Sequence, residues 1–359
     1  MTVGKLITIK RSEAQFLNYI WGRFSKTERA LPLKSLNVNT EQEQVTFEIV
    51  PKLKKPNFSI LIQTLKLRNL YLSFVPMFLV LFKNIFDETL EDYTHALFSF
   101  LAVVSIQLGI ELANDVQDHI RGLDRIHPGA GNAAITKAWL AAVDLKNYSW
   151  VLLIFGGILA LPALVIYPMI LTTVLPLALL ATFGTYWDRV GLKYRSWSEW
   201  VVFLMFGPLL TAGYQMSFGG GLDVEVVAIG MLTGWLAVFQ IHLKNFNHIM
   251  VNSQAQFKST IVRLGFDKGK RLLIFWWIIF VLGMICYRAF YSAESWLYIN
   301  AILLVVISVP LISAINKLQA PVGSKIHQVV ILVRRICQVS LGFWFLENVW
   351  TLFLLEGLR

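Results

Sequence analysis

The sequence predicts an all-α, polytopic membrane protein, and three observations carry that prediction. First, 56% of the chain is hydrophobic and only 15% is charged, well below the roughly 25% charged residues of soluble domains. Second, the apolar residues lie in continuous runs of about twenty, the length a helix needs to cross the hydrocarbon core. A membrane β-barrel would instead show segments of about ten alternating residues. Third, the basic residues are sorted along the chain as membrane topology requires.

Nine spans are expected, near 66–83, 95–114, 148–163, 167–187, 199–218, 224–244, 271–289, 296–316 and 336–356. With the N-terminus cytoplasmic, the N-terminal segment and the even-numbered loops collect the basic residues. Of the 32 Lys and Arg, only Lys83, Arg288 and Arg359 fall on the far side. The first outer loop is acidic, with Asp87, Glu88, Glu91 and Asp92. The net charge of +10 therefore reflects topology, and no nucleic-acid partner is expected. In a bacterium the location would be the cell inner membrane. Cys286 and Cys337 fall inside apolar segments and read as packing residues, with no disulfide or zinc spacing.

The chain divides into a cytoplasmic N-terminal extension, residues 1–60, and a transmembrane domain, residues 61–359. In the extension, Phe16, Leu17, Ile20, Trp21 and Phe24 recur at helical spacing beside basic residues, which suits a helix on the membrane surface. The alternation from Gln44 to Val50 reads as a short strand. A small structural cap is the plainer reading of the whole segment.

The chemistry-bearing cluster closes the second span. Glu111, Asp115 and Asp118 are spaced by four and then three residues, which places them on one helical face. Carboxylates at a membrane helix end are costly unless paired or bound to a cation. A hard divalent ion such as Mg²⁺, which takes a few carboxylate oxygens together with substrate phosphate, would relieve their repulsion. Gly122 allows a turn that brings Asp124 back towards the cluster.

The set Asn114, Asp115, Asp118, Gly122 and Asp124 resembles the first Asp-rich motif of the UbiA superfamily of intramembrane aromatic prenyltransferases, most closely its menaquinone-type (MenA) branch. Further pieces follow in family order. Arg68 with Pro76 resembles the first-helix signature, and Gly131 to Leu140 the approach to the third helix. Tyr186, Gly191-Leu192-Lys193-Tyr194, Glu199 and Phe206-Gly207-Pro208-Leu209 resemble the run into the fifth helix. Thr260 to Gly265 resembles the loop before the seventh. The resemblance covers residues 62 to about 355.

It implies a nine-helix bundle around a central cavity that transfers a polyprenyl group from a prenyl diphosphate to an aromatic acceptor, surrounded by membrane lipid. Asp115, Asp118 and Asp124 would hold Mg²⁺, and Asn114 would orient them. Arg121, Tyr186 and Lys193 would contact the diphosphate, with Asp115, Asp118 and Lys193 as the catalytic residues. Arg68, Asn245 and Lys258 complete the implied substrate-binding set.

One part of the pattern departs. The family's second motif, Asp-x-x-x-Asp at the end of the sixth helix, aligns with His248 and Asn252, and Phe257 stands where a basic residue is common, just before Lys258. Asn245, His248 and Asn252 would share a helical face, but two carboxylates are gone. Neutral His prefers softer ions than Mg²⁺. Glu111 stands where the family usually has Asn. It either moves a negative charge to the second helix, joining His248 and Asn252 around the metal, or pairs with a base such as Lys244. One Mg²⁺, or an altered use of metal, is expected. A non-catalytic relative that binds an isoprenoid or quinone, or supports a partner protein, is the alternative. A transporter is disfavoured because the acids lie at helix ends.

The topology gives a direct prediction. Reporters fused at residues 1 and 359 should report opposite sides, with residue 1 cytoplasmic; both ends on one side would refute the odd number of spans.

Overall fold

The computed structural model describes residues 5–52, 57–126, 131–186, 192, 196–291, 298–321 and 324–357. In chain order the first elements are β1 (Lys5–Lys10), α1 (Phe16–Ile20), β2 (Glu28–Leu36), β3 (Gln44–Pro51), α2 (Phe58–Leu65), α3 (Tyr71–Phe86), α4 (Tyr93–Ile120), α5 (Leu123–Ile126) and α6 (Ala133–Thr136). Then come α7 (Ala142–Ile166), α8 (Met169–Thr172), α9 (Val174–Tyr186), α10 (Ser198–Phe206), α11 (Pro208–Met216) and α12 (Val224–Asn247). The last are α13 (Ile249–Gln254), α14 (Thr260–Leu264), α15 (Phe266–Tyr291), α16 (Ile299–Asn316) and α17 (Ser324–Gly357).

Among the described residues each expected span falls mainly on helical chain, though not always on one helix. Among the described residues six helices, α4, α7, α12, α15, α16 and α17, are long and apolar enough to cross a membrane. The first expected span is the shorter α3. The fourth is broken at Thr173, because Pro176 has no N–H to give the Thr172 carbonyl and its ring crowds it. The fifth is broken at Gly207, whose φ of −119° and ψ of −115° leave the helical region just before Pro208 opens α11.

The chain forms two compact units. The first contains residues 1–69, 102–158 and 251–257. Its strands make an antiparallel sheet in the order β1-β3-β2, with Thr8 opposite Thr46 and Ala30 opposite Ile49. Alternate β3 residues Val45, Phe47 and Ile49 point inward and meet Phe16 and Ile20 of α1. Phe16 and Ile20 are only 3% and 1% exposed. Phe16 and Ile20 are therefore spent on the protein's own core, which corrects the expectation that they face the membrane, while Leu17 of the same stripe is exposed. A second cluster joins Val116 of α4 to Ala134, Ile135, Leu140 and Leu145, with Trp21 packed against it. The Ser149 hydroxyl donates to Gly109 O at 2.7 Å where α7 crosses α4, a small-residue contact typical of helices in lipid.

The second unit contains residues 70–101, 159–250 and 258–359. Its core is centred on α12, where Leu236, Phe239, Leu243 and Phe246 pack with Leu273, Trp277 and Phe280 of α15. Leu304 and Leu311 of α16 and Val333, Cys337 and Trp344 of α17 extend it. Val165, Val309 and many other large apolar side chains are exposed. Such surfaces suit lipid and would be a liability in water.

Close packing around the fifth span makes a testable contrast. A Cβ at Gly207 would lie 2.5 Å from the Gly230 and Phe203 carbonyl oxygens and 2.9 Å from Gly234 Cα, whereas one at Gly157 meets nothing within 4 Å. We expect Gly207→Ala to destabilise the purified protein by about 1–3 kcal/mol or more through overpacking. Gly157→Ala should be neutral or stabilising by up to ~1 kcal/mol. Thermal unfolding in detergent distinguishes the two, and equal melting temperatures would contradict the packing.

Candidate functional site

α4 runs apolar for most of its length and becomes polar over its last turns. Its C-terminal end carries the negative pole of the helix dipole, so the acids there need cations or donors nearby. Asp115 and Asp118 are both buried. After Ile120 the chain reverses at Gly122, whose φ is +80°, a conformation glycine adopts without strain. The reversal starts α5 and returns Asp124 to α4, where its Oδ2 lies 2.5 Å from His119 Nδ1.

Two side chains fix Asp115. Lys66 Nζ lies 2.5 Å from its Oδ1. Asn132 Nδ2 donates to its Oδ2 at 2.7 Å. Lys66 ends α2 in the left-handed conformation (φ 49°, ψ 44°), uncommon outside glycine and a form of strain that gathers at functional sites. Asn132 is fully used: the same Nδ2 reaches Thr64 O at 3.1 Å, while Oδ1 accepts from Ala134 N at 2.9 Å and caps α6. One turn earlier on α4, Glu111 Oε2 accepts from Asn69 Nδ2 at 2.9 Å, and Gln107 Nε2 donates to Asn69 O at 3.2 Å. An amide thus contacts Glu111.

His119 links this end of α4 to the sheet domain. Its Nε2 lies 2.9 Å from Ile20 O, and a carbonyl only accepts, so that nitrogen carries the proton. Its Nδ1 then faces Asp124. The second carboxylate oxygen of Asp124, Oδ1, is buried with no hydrogen-bond donor among the described residues. Arg125 NH1 donates to His119 O at 2.8 Å and NH2 to Glu43 Oε1 at 2.9 Å.

The other expected residues are placed as follows. Asn114 is half-buried on α4, and Arg121 is half-buried in the turn that follows. Arg68 lies in the 3₁₀ turn Leu67–Asn69, and Tyr186 is the last residue of α9; their side chains, and Lys193 as a whole, lie outside the described residues. In the second unit α12 ends at Asn247, and His248 caps it with φ −107° and ψ 19°. The expected single helical face through Asn245, His248 and Asn252 is therefore interrupted at His248, before α13 begins. Asn252 is buried in the first unit, where its carbonyl accepts from Phe257 N at 2.8 Å. Lys258 is exposed, and its carbonyl accepts from Ser196 Oγ at 3.3 Å. Glu199 is buried in the second unit, accepting from Thr260 Oγ1 at 2.8 Å and Ser198 Oγ at 3.0 Å.

Among the described residues no group of three or more His, Cys, Asp and Glu side chains is arranged to hold a metal ion. Asp115 is turned to Lys66 and Asp124 to His119. Sequence reasoning missed Lys66, Asn132 and His119 as site residues. Lys66 was visible only as one more basic residue at a span end, and Asn132 only as a helix-capping signal.

Comparison with known proteins fits this arrangement. A sequence profile of the UbiA prenyltransferase family matches residues 75–335. A 1,4-dihydroxy-2-naphthoate octaprenyltransferase of Haemophilus influenzae is 26% identical over 223 residues, covering 59% of this chain and 70% of the relative. The structure of a UbiA homolog from Archaeoglobus fulgidus bound to GPP and Mg²⁺ superimposes with a TM-score of 0.54 at 14% identity, over 81% of this chain and 99% of that one. The same homolog bound to DMAPP and Mg²⁺ gives 0.55 at 13% identity, over 80% and 98%. These structures share the fold, and the profile match extends over more than half of the sequence: the chain belongs to the UbiA prenyltransferase family.

Proposed function

We propose that this protein transfers a polyprenyl group from a prenyl diphosphate to an aromatic acceptor within the membrane, a step of quinone-type biosynthesis. The observation that carries the reading is the Asp-rich end of α4, where Asp115 and Asp118 are buried, the Lys66 ammonium meets Asp115, and the reversal at Gly122 returns Asp124 to His119. The name of the Haemophilus influenzae relative and the ligands of the Archaeoglobus fulgidus homolog point the same way.

The residues offer oxygen donors for one hard cation and not two, and binding would draw Asp115 from Lys66 and Asp124 from His119. Hard oxygen donors are the ligands Mg²⁺ selects, and the buried Oδ1 of Asp124 is an acceptor that a cation would satisfy. At the sixth-helix position His248 and Asn252 offer no carboxylate. When bound, Mg²⁺ would neutralise charge that develops on the departing diphosphate. Asp115, Asp118 and Asp124 would hold it, with Asn114 orienting them and Glu111 adding negative charge on the same face.

Lys66, Arg121 and Lys193 supply positive charge to the diphosphate oxygens, and Lys66 stands in part for the second cation. Arg68, Tyr186, Asn245 and Lys258 are assigned to substrate binding. The C–O bond to the diphosphate breaks, and the electron pair leaves on oxygen. The apolar helices keep water from the allylic cation. A ring carbon of the acceptor attacks it and then loses its proton. The Asp-rich end faces the cytoplasm, from the basic-residue asymmetry.

The test is incubation of the purified protein with prenyl diphosphates and phenolic or naphthoic acceptors, with and without Mg²⁺, followed by mass spectrometry of products. We expect a prenylated product and diphosphate release that depend on Mg²⁺. Asp115→Asn and Asp118→Asn keep the side-chain volume and should each lower turnover by about 10²-fold or more. Tight prenyl diphosphate binding without any product would overturn the enzyme reading in favour of an isoprenoid-binding relative.

A further inference from the structure

The β2–β3 turn of the N-terminal sheet carries a polar cluster that the transfer chemistry does not use. Asn39, in left-handed backbone at φ 61°, donates from Nδ2 to Arg121 O at 2.8 Å and to Ala255 O at 3.1 Å. Arg121 belongs to the turn that closes the Asp-rich motif. Ala255 lies three residues beyond Asn252. One side-chain amide therefore uses both of its N–H groups to hold two chain reversals that are far apart in sequence.

Glu43 is the hub beneath it, with a side chain that is 0% exposed. Its Oε1 accepts from Arg125 NH2 and Ser35 Oγ, both at 2.9 Å. Its Oε2 accepts from Arg11 NH1 at 2.7 Å and from Asn39 N at 3.1 Å. The same Arg125 holds His119 O, and His119 in turn meets Ile20 O. Any Cβ at Gly122 would lie 2.5 Å from Val38 Cγ1. The stretch from His119 to Arg125 is thus gripped by groups drawn from residues 20–43, all before the segment that the family profile matches. A buried carboxylate with four donors is a stringent arrangement, because a partly satisfied one is strongly destabilising. A simple cap would not need to place it under the Asp-rich turn.

We infer that Asn39 and Glu43 are positioning residues: they fix the Arg121 and Ala255 carbonyls and the Arg125 guanidinium, and through them the carboxylates of Asp118 and Asp124. The N-terminal sheet is then a working part of the diphosphate site. This rests on the assignment of Asp118 and Asp124 to that site. In a chain whose second motif has lost its carboxylates, protein hydrogen bonds from Asn39 tie together two segments that shared metal ligands could otherwise join.

The test uses the whole chain with Asn39→Gly, Asn39→Asp and Glu43→Gln. Glycine accepts φ 61° without strain, so Asn39→Gly removes the two hydrogen bonds and little else. Aspartate also tolerates that backbone but cannot donate. Glutamine at 43 keeps the volume and weakens the grip on Arg125. Hydrogen–deuterium exchange should rise locally over residues 119–126 and 251–257 in all three variants. Turnover should fall by about 10-fold or more, and half-activation should need more Mg²⁺, with KM for the aromatic acceptor unchanged. Wild-type exchange and turnover in Asn39→Gly would overturn the inference. Faster exchange spread over the entire sheet would also overturn it, because the turn would then serve stability alone. An inactive wild type sinks the proposed function instead, and the local exchange pattern still decides the role of Asn39.

Discussion

A carboxylate at the end of an apolar, membrane-crossing helix is the constraint around which this fold is arranged. Asp115 is 8% exposed, and an unpaired ion so placed would cost several kcal/mol. Its neighbours are the answer to that cost. α2 ends in a left-handed residue so that Lys66 reaches one carboxylate oxygen. Asn132 caps a short helix with its oxygen and donates to the other with its nitrogen. Asn69 treats Glu111 similarly one turn away. Local conformations that look irregular in isolation share one electrostatic purpose.

The same rule governs the second unit, where lipid replaces water as the solvent for the helix surfaces. Several charged groups there occur in partnered sets. Lys83 Nζ meets Asp87 and Asp223, each at 2.5 Å. Arg288 pairs with Glu347 in the interior, and the Tyr287 hydroxyl donates to Glu225 at 2.9 Å. Two backbone breaks fall where glycine or proline tolerates them, at Gly207 with Pro208 and before Pro176, and another falls at His248. The helices of this unit expose many large apolar side chains, such as Val165 and Val309.

How much of this the sequence disclosed depends on the range of the interaction. Features set within a few residues were legible: the apolar runs, the spacing of Glu111, Asp115 and Asp118, and the reversal at Gly122 that returns Asp124. Features that join distant segments were not. Lys66 and Asp115 are 49 residues apart, and Asn39 and Ala255 are 216 apart, so no periodicity connects them. Phe16 and Ile20 of α1 were misread because helical spacing cannot say whether an apolar face meets lipid or a sheet. The interrupted face at His248 was hidden because a helix end depends on backbone angles that His and Asn spacing does not encode.

We propose that Lys66 is a cation of the site, neutralising Asp115 in the free protein and meeting the diphosphate in the bound one. Its most direct test is the affinity of the purified protein for inorganic pyrophosphate, measured by titration calorimetry for the wild type and Lys66→Met, with and without Mg²⁺. Loss of a charge-assisted contact predicts affinity weaker by about 10-fold or more in Lys66→Met under both conditions. Unchanged pyrophosphate affinity in a folded Lys66→Met protein would contradict the account.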